Sequence, residues 1–318
     1  MIECLRFTIE PRKPYSLALT VERFGRYTEA VDVVDQGVYR RLLPAGGALL
    51  LLSVTQRGSP ARARLHVELQ GKGARSTASR RVAEKFVLQG LGAALDVRPF
   101  YREFRDDPIL GGPIRRCRGL RVACWPSAWE ALVTAILSQQ VNLSFAYSIR
   151  RELALEFGRR RRIDGQTYVA FPTPRRVARV TTEDLRRFRL SRTKSRAVHA
   201  LAEAFCSGRL SESGLEALPD EEVIARLTEF HGVGRWTAEI ALLRGLARPD
   251  AFPAADLGVV KYVARGLLGR RDVATEDEMR GFAERWRPYR GLALAYAYAE
   301  LQHRASNATA TPTSRDSQ

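Results

Sequence analysis

The chain has 318 residues, 45% of them hydrophobic and 27% charged, with 52 lysines and arginines against 35 acidic side chains and a formal charge of +17. This length supports one large core or two ordinary ones. The composition excludes disordered and fibrous classes, and the positive charge points to a polyanion, nucleic acid first, through counterion release.

In chain order, Glu3 to Glu10 alternates, Leu17 to Val21 and Ala48 to Val54 are short apolar runs, and Leu65 to Leu69 has period two. Glycine-rich breaks such as Ala45-Gly46-Gly47 separate them, so an antiparallel sheet is expected. Ser79 to Leu91 then takes helical spacing through Val82, Phe86 and Leu91. Residues 1–113 therefore read as an α+β domain, with a boundary at the turn-forming Gly111-Gly112-Pro113. From Trp125 the period becomes 3.6. Ser127-Ala128-Trp129-Glu130 reads as a capping box, followed by Leu132, Val133, Ile136, Leu137 and Val141 on one face. Further helices are expected near Leu143 to Phe157, Glu183 to Phe188, Arg192 to Cys206, Glu221 to Phe230, Arg235 to Leu246, Leu257 to Leu268, Glu276 to Trp286 and Leu292 to Arg304. Residues 114–305 thus form an all-α domain, in which the run Arg159 to Arg162 is expected to be a solvated loop. Residues 306–318 are small and polar, and read as a disordered tail.

Cys4, Cys117, Cys124 and Cys206 form no CxxC pair, which argues against a disulfide framework, a zinc site or an iron-sulfur cluster. No apolar run spans a bilayer and Met1 leads into no signal pattern, so a cytoplasmic protein without a membrane partner is expected.

Chemistry concentrates in two stretches. Leu227 to Ala238 joins two helices through Gly232-Val233-Gly234, followed at once by Arg235. Glycines let such a turn approach another object closely, and the unpaired amides opening the second helix make a phosphate site that reads no sequence. Downstream, Phe252-Pro253-Ala254-Ala255-Asp256 places a carboxylate at the start of an apolar stripe, where capping alone would also explain it.

Taken together, Phe230 to Ala238 with Asp256 resembles the signature of the helix-hairpin-helix DNA glycosylase superfamily. Ala135 to Val141, Phe171-Pro172-Thr173-Pro174 and Ala283 to Arg290 are similar to segments of its 3-methyladenine DNA glycosylase II branch. The resemblance covers Trp125 to Leu301. It implies a TATA-binding-protein-like α+β domain ahead of the helical one and damaged duplex DNA as partner; a monomer is the default expectation, in the cytoplasm and at the nucleoid in a prokaryote. Asp256 would then be the catalytic carboxylate and Gln140 or Gln139 the plug that fills the gap left by a flipped base. Gly232, Val233, Gly234 and Arg235 would face DNA, and Trp236, Tyr298, Ile240 and Leu257 would line the base pocket. The resemblance also implies a monovalent cation, Na+ or K+, on the main-chain carbonyls of Thr228, Phe230 and Val233. No other cofactor is required.

Departures narrow the subtype. Trp236 stands where bifunctional relatives carry a Schiff-base lysine, so no lyase step is expected. The four-cysteine cluster loop of the endonuclease III type is missing, and His231 replaces a usual proline. The expected activity is monofunctional hydrolysis of alkylated bases such as 3-methyladenine and 7-methylguanine. The alternatives are a glycosylase for oxidised or deaminated purines and a hairpin DNA-binding protein without chemistry.

Overall fold

A computed structural model describes residues 3–310 except 28, 29, 46, 270 and 271, and the side chains of these residues other than 262, 267, 268 and 305–310. Strands β1 (Cys4–Ile9), β2 (Val33–Asp35), β3 (Val38–Ala45), β4 (Ala48–Arg57) and β5 (Arg64–Gln70) form one antiparallel sheet ordered β1-β5-β4-β3-β2. Ala45 pairs with Ala48 across the β3–β4 turn, and Cys4 pairs with Gln70. The pleat divides the apolar run of β4 between two faces. Leu50, Leu52 and Val54 enter the main core, while Leu49 and Leu51 meet Ile163 and Tyr168 on the opposite face. A strand covered on both sides loses the apolar-polar alternation of a half-exposed one.

Leu17 to Val21, expected as a strand, is instead the start of helix α1 (Leu17–Gly25). Ser16 Oγ accepts the Leu19 amide, and Leu17, Thr20, Val21 and Phe24 are buried at helical spacing. Five apolar residues cannot separate the two periods; the cap before them and Phe24 after them decide. Helix α2 (Thr77–Lys85) runs into a π turn over Phe86–Gly90, as Ser79 to Leu91 suggested.

Beyond α3 (Arg98–Phe104) and α4 (Gly111–Arg116) the helical region contains α5 (Ala128–Ser138), α6 (Leu143–Phe157), α7 (Pro174–Val177), α8 (Thr182–Arg186), α9 (Arg192–Ser207), α10 (Glu212–Ala217), α11 (Asp220–Thr228), α12 (Arg235–Arg244), α13 (Ala264–Leu268), α14 (Glu276–Ala283) and α15 (Arg290–Ala310). It is not all-α. The arginine run expected as a solvated loop forms β6 (Arg160–Ile163), paired with β7 (Gln166–Val169). This hairpin covers the outer face of the large sheet, and the Arg161 guanidinium donates to the Leu49 carbonyl. Asp164 and Gly165 at its tip both take positive φ, 49° and 80°. An Asp-Gly pair is a strong signal for a two-residue hairpin turn.

Apolar packing runs across the expected boundary at residue 113. Val97, Phe100, Phe104, Leu110 and Ile114 share a core with Phe252, Trp286 and Tyr296, whereas the sheet shares one with α5, α9 and α12. The expected tail begins inside a helix, since α15 continues through Ala310; residues 311–318 lie outside the described set.

Helix α5 is buried on every side from Ala128 to Leu137. Ser127 Oγ accepts the Glu130 amide at 3.1 Å, but Glu130 does not complete the expected capping box. Glu212 takes the Ala128 and Trp129 amides instead, at 2.8 and 3.3 Å. Glu130 turns inward to Arg41 and Arg150, which also bind Asp32. All four side chains are at most 5% exposed. Two cations and two anions thus neutralise one another where the sheet meets α5 and α6, the condition for burying charge at tolerable cost.

Candidate active site

Asp256 emerges from a loop anchored by buried Phe252 and Ala254, and its amide donates to the Pro253 carbonyl at 2.9 Å. Its own carbonyl receives the Val259 and Val260 amides, so it stands at the entrance to the π turn Gly258–Val263. The carboxylate meets three donors. Oδ1 accepts the Gly258 amide at 2.8 Å and the Tyr298 hydroxyl at 3.0 Å, and Oδ2 accepts Trp236 Nε1 at 3.1 Å. Capping and site geometry therefore coincide in one side chain. A Cβ on residue 258 would lie 2.4 Å from the Tyr298 hydroxyl and 2.9 Å from Asp256 Oδ1; only glycine lets these groups close.

Burial pushes the Tyr298 hydroxyl well above its usual range, and the neighbouring Asp256 charge adds to this, while Arg244 and Arg23 oppose it. Tyr298 therefore stays protonated at neutral pH and donates. The Arg244 guanidinium is itself pushed down to about 10 by burial and by Arg23 beside it. Asp256 keeps a half-exposed surface, Leu257 next to it is 57% exposed, and Ile240 lies half-buried one helical turn beyond Trp236.

The hairpin comes from α11, α12 and the turn between them. Val233 and Phe230 are buried, and the Val233 amide donates to the Phe230 carbonyl at 2.9 Å. Gly232 has φ of 90°, and a Cβ there would press Thr193 and Ala197 of α9 at 3.1 Å. Gly234 is different. It caps α12 with no side-chain acceptor, and a Cβ there would meet nothing within 4 Å. The first-turn amides of α12 are thus open to an outside anion. Arg235 is already engaged, by Glu221 at 2.7 and 3.1 Å and by Glu239 at 3.0 Å.

The two glutamine candidates separate clearly. Gln139 folds back, its Nε2 donating to the Gly232 carbonyl and to Thr237 Oγ1, both at 3.0 Å. Gln140 is exposed at the tip, with left-handed φ of 56°. Sequence reasoning missed Lys194, whose ammonium donates to the Leu137 and Gln139 carbonyls at 3.1 and 2.7 Å. A lysine reaching main-chain oxygens across 55 residues leaves no local pattern.

Residues 133–288 match the family described as HhH-GPD superfamily base excision DNA repair protein. A DNA-3-methyladenine glycosylase of Bacillus subtilis is 32% identical over 217 residues, 68% of this chain and 71% of the relative. The chain belongs to this superfamily. DNA-3-methyladenine glycosylase 2 of Escherichia coli is 32% identical over 57% of the chain and 60% of its own length. Among solved structures, the 3-methyladenine DNA glycosylase of Archaeoglobus fulgidus superposes with a TM-score of 0.81 at 26% identity, covering 93% of this chain and 98% of that one. The Schizosaccharomyces pombe 3-methyladenine DNA glycosylase solved with abasic DNA reaches 0.51 at 27% identity, over 60% of this chain and 91% of that one. In this superfamily member, among the described residues, no helix is long and apolar enough to cross a membrane and no group of three or more His, Cys, Asp or Glu side chains could hold a metal ion.

Proposed function

We infer that this protein is a monofunctional base-excision glycosylase that hydrolyses the N-glycosidic bond of alkylated bases, of the 3-methyladenine and 7-methylguanine type, in duplex DNA. The observation that carries this is the fixed, half-exposed carboxylate of Asp256, held by Trp236, Tyr298 and Gly258 downstream of an uncapped hairpin. A non-catalytic DNA-binding module has no use for a fixed anion beside phosphate, which it would repel.

Glycosidic cleavage lets the base leave with the bonding electrons and builds positive charge on the sugar. Asp256 stabilises that charge without reorganising, because its donors already hold it in place. Water then adds at the anomeric carbon and gives up a proton, which the same carboxylate can accept. An alkylated purine that carries positive charge leaves readily, so no separate acid is required. The faces of Trp236 and Tyr298, with Ile240 and Leu257 beside them, supply stacking and cation-π attraction for such electron-poor bases.

The target nucleotide must first leave the helix, at a cost of a few kcal/mol. Gln140, exposed on its left-handed tip, is the plug, and Gln139 ties the plug loop to the hairpin. The hairpin Gly232-Val233-Gly234-Arg235 holds the DNA backbone through its open amides, the Val233 amide staying on the Phe230 carbonyl inside the turn. The carbonyls of Thr228, Phe230 and Val233 span the stretch from the end of α11 to the start of α12, and the Phe230 oxygen keeps a second lone pair beside the Val233 amide, so the three are a hard-oxygen set suited to Na+ or K+. The cation would brace the turn; the chemistry needs no other cofactor. We place the protein as a monomer in the cytoplasm, on chromosomal DNA.

Single-turnover assays test this reading. Wild-type protein should release 7-methylguanine from a duplex and leave the abasic strand unbroken until alkali is added. Retained base with normal DNA binding would reduce it to a binding module, and strand scission without alkali would overturn the monofunctional assignment. Gly234→Asp, whose carboxylate enters the open space at the hairpin, should weaken affinity for damaged and undamaged duplex alike by roughly tenfold, the scale of a few lost phosphate contacts. Equal affinity would remove the hairpin from the DNA interface.

A further inference from the structure

We propose that Lys194 is a positioning residue that locks the plug loop onto the hairpin, so that gripping the DNA backbone and everting the nucleotide become one motion. The proposal rests on the glycosylase reading above. Lys194 lies in the first turn of α9, whose N-cap Ser191 accepts its amide at 3.2 Å. A cation there opposes its own helix dipole, and half-burial lowers the pKa of this ammonium. That placement is unfavourable unless something else compensates. The compensation is at the far end of α5: the ammonium donates to the Leu137 carbonyl, which the helix leaves unpaired at its negative dipole end, and to the Gln139 carbonyl in the extended corner just past it.

The contacts continue in one direction. From the loop carbonyl that Lys194 holds, the Gln139 side chain reaches the Gly232 carbonyl and Thr237 Oγ1 of the hairpin. The hairpin in turn sits on α9, because residue 232 has only 3.1 Å to Thr193 and Ala197. Loop, hairpin and α9 therefore close a ring of contacts, and Gln140 stands exposed beside it at the tip of the loop. Lys194 itself meets main-chain carbonyls and no carboxylate among the described residues, so the ring is held by directed bonds to backbone. Phosphates pressed against the hairpin would push Gln140 in a fixed direction, and a lesion already unpaired would gain little from this.

The test compares full-length wild type with Lys194→Met on 7-methylguanine in a fully paired duplex and on the same lesion in a two-nucleotide bubble. For the variant we expect unchanged affinity for undamaged duplex, about tenfold slower single-turnover release from the paired site, and a loss under about twofold in the bubble, where eversion costs least. Lys194→Gln, which keeps neutral donors, should recover part of the paired rate. Should Lys194→Met melt below the assay temperature, Thr237→Val carries the same comparison by deleting one of the two acceptors that tie Gln139 to the hairpin. Equal losses on paired and bubble substrates, or none on either, would overturn the proposal. Wild type failing on both substrates would instead overturn the glycosylase reading.

Discussion

Asp256→Asn should release an alkylated base about a hundred- to a thousandfold more slowly than wild type, the scale of losing one preorganised charge-stabilising group, roughly 3–4 kcal/mol. The substitution keeps the side-chain shape. The asparagine carbonyl can still accept Gly258 and Tyr298, but its amide would face Trp236 Nε1, now donor against donor at 3.1 Å. What disappears is the negative charge beside the anomeric carbon. Binding should move the other way, with undamaged duplex held as tightly or slightly more so, because an anion has been removed from beside the phosphates. Anisotropy and single-turnover release on the same preparation check both halves. A variant that releases base at the wild-type rate would disprove the assignment of Asp256.

The second large effect concerns stability. Asp32→Asn should cost about 3–5 kcal/mol, the usual loss when one partner of a buried ion pair is removed. Asp32 is 1% exposed and accepts the Tyr39 hydroxyl at 2.6 Å and Arg41 at 2.7 Å, with Arg150 at 3.2 Å. Without its charge, the two buried guanidiniums lose an anion that both of them contact. Urea unfolding followed by far-ultraviolet dichroism and by tryptophan fluorescence should show both signals moving together to a lower midpoint, because the cluster joins the sheet to α5 and α6. A shift below about 1 kcal/mol would show that the surroundings re-form around the vacancy, as apolar replacements of such clusters can.

How legible these features were depends on how local they are. The hairpin and Asp256 lie within one short stretch, and their residue types have few other joint uses, so the stretch announces the site. The resemblance singles out Tyr298 as an expected pocket wall, yet its bond to the carboxylate spans 42 residues and needs the fold. Leu17 to Val21 misleads because an apolar run too short to hold a full helical period looks like a strand until Ser16 and Phe24 are weighed. Glu130 misleads differently: its spacing from Ser127 fits a cap, but two buried arginines compete for it more strongly than one amide. The strand at Arg160–Ile163 was hidden by its arginines, although Asp164-Gly165 marked the turn. Lys194 was beyond reach, since its partners are carbonyls that every residue owns.

Helix α5, buried around its whole circumference, has Glu130 near one tip and the Gln139-Gln140 corner just past the other. Its eleven residues make a rod about 16 Å long. Seated on all sides, such a rod cannot tilt or slide at one tip without disturbing the other. Substitutions around Asp32 should therefore blunt lesion eversion before they unfold the protein, and a defect in repair can originate at the seam between sheet and helices.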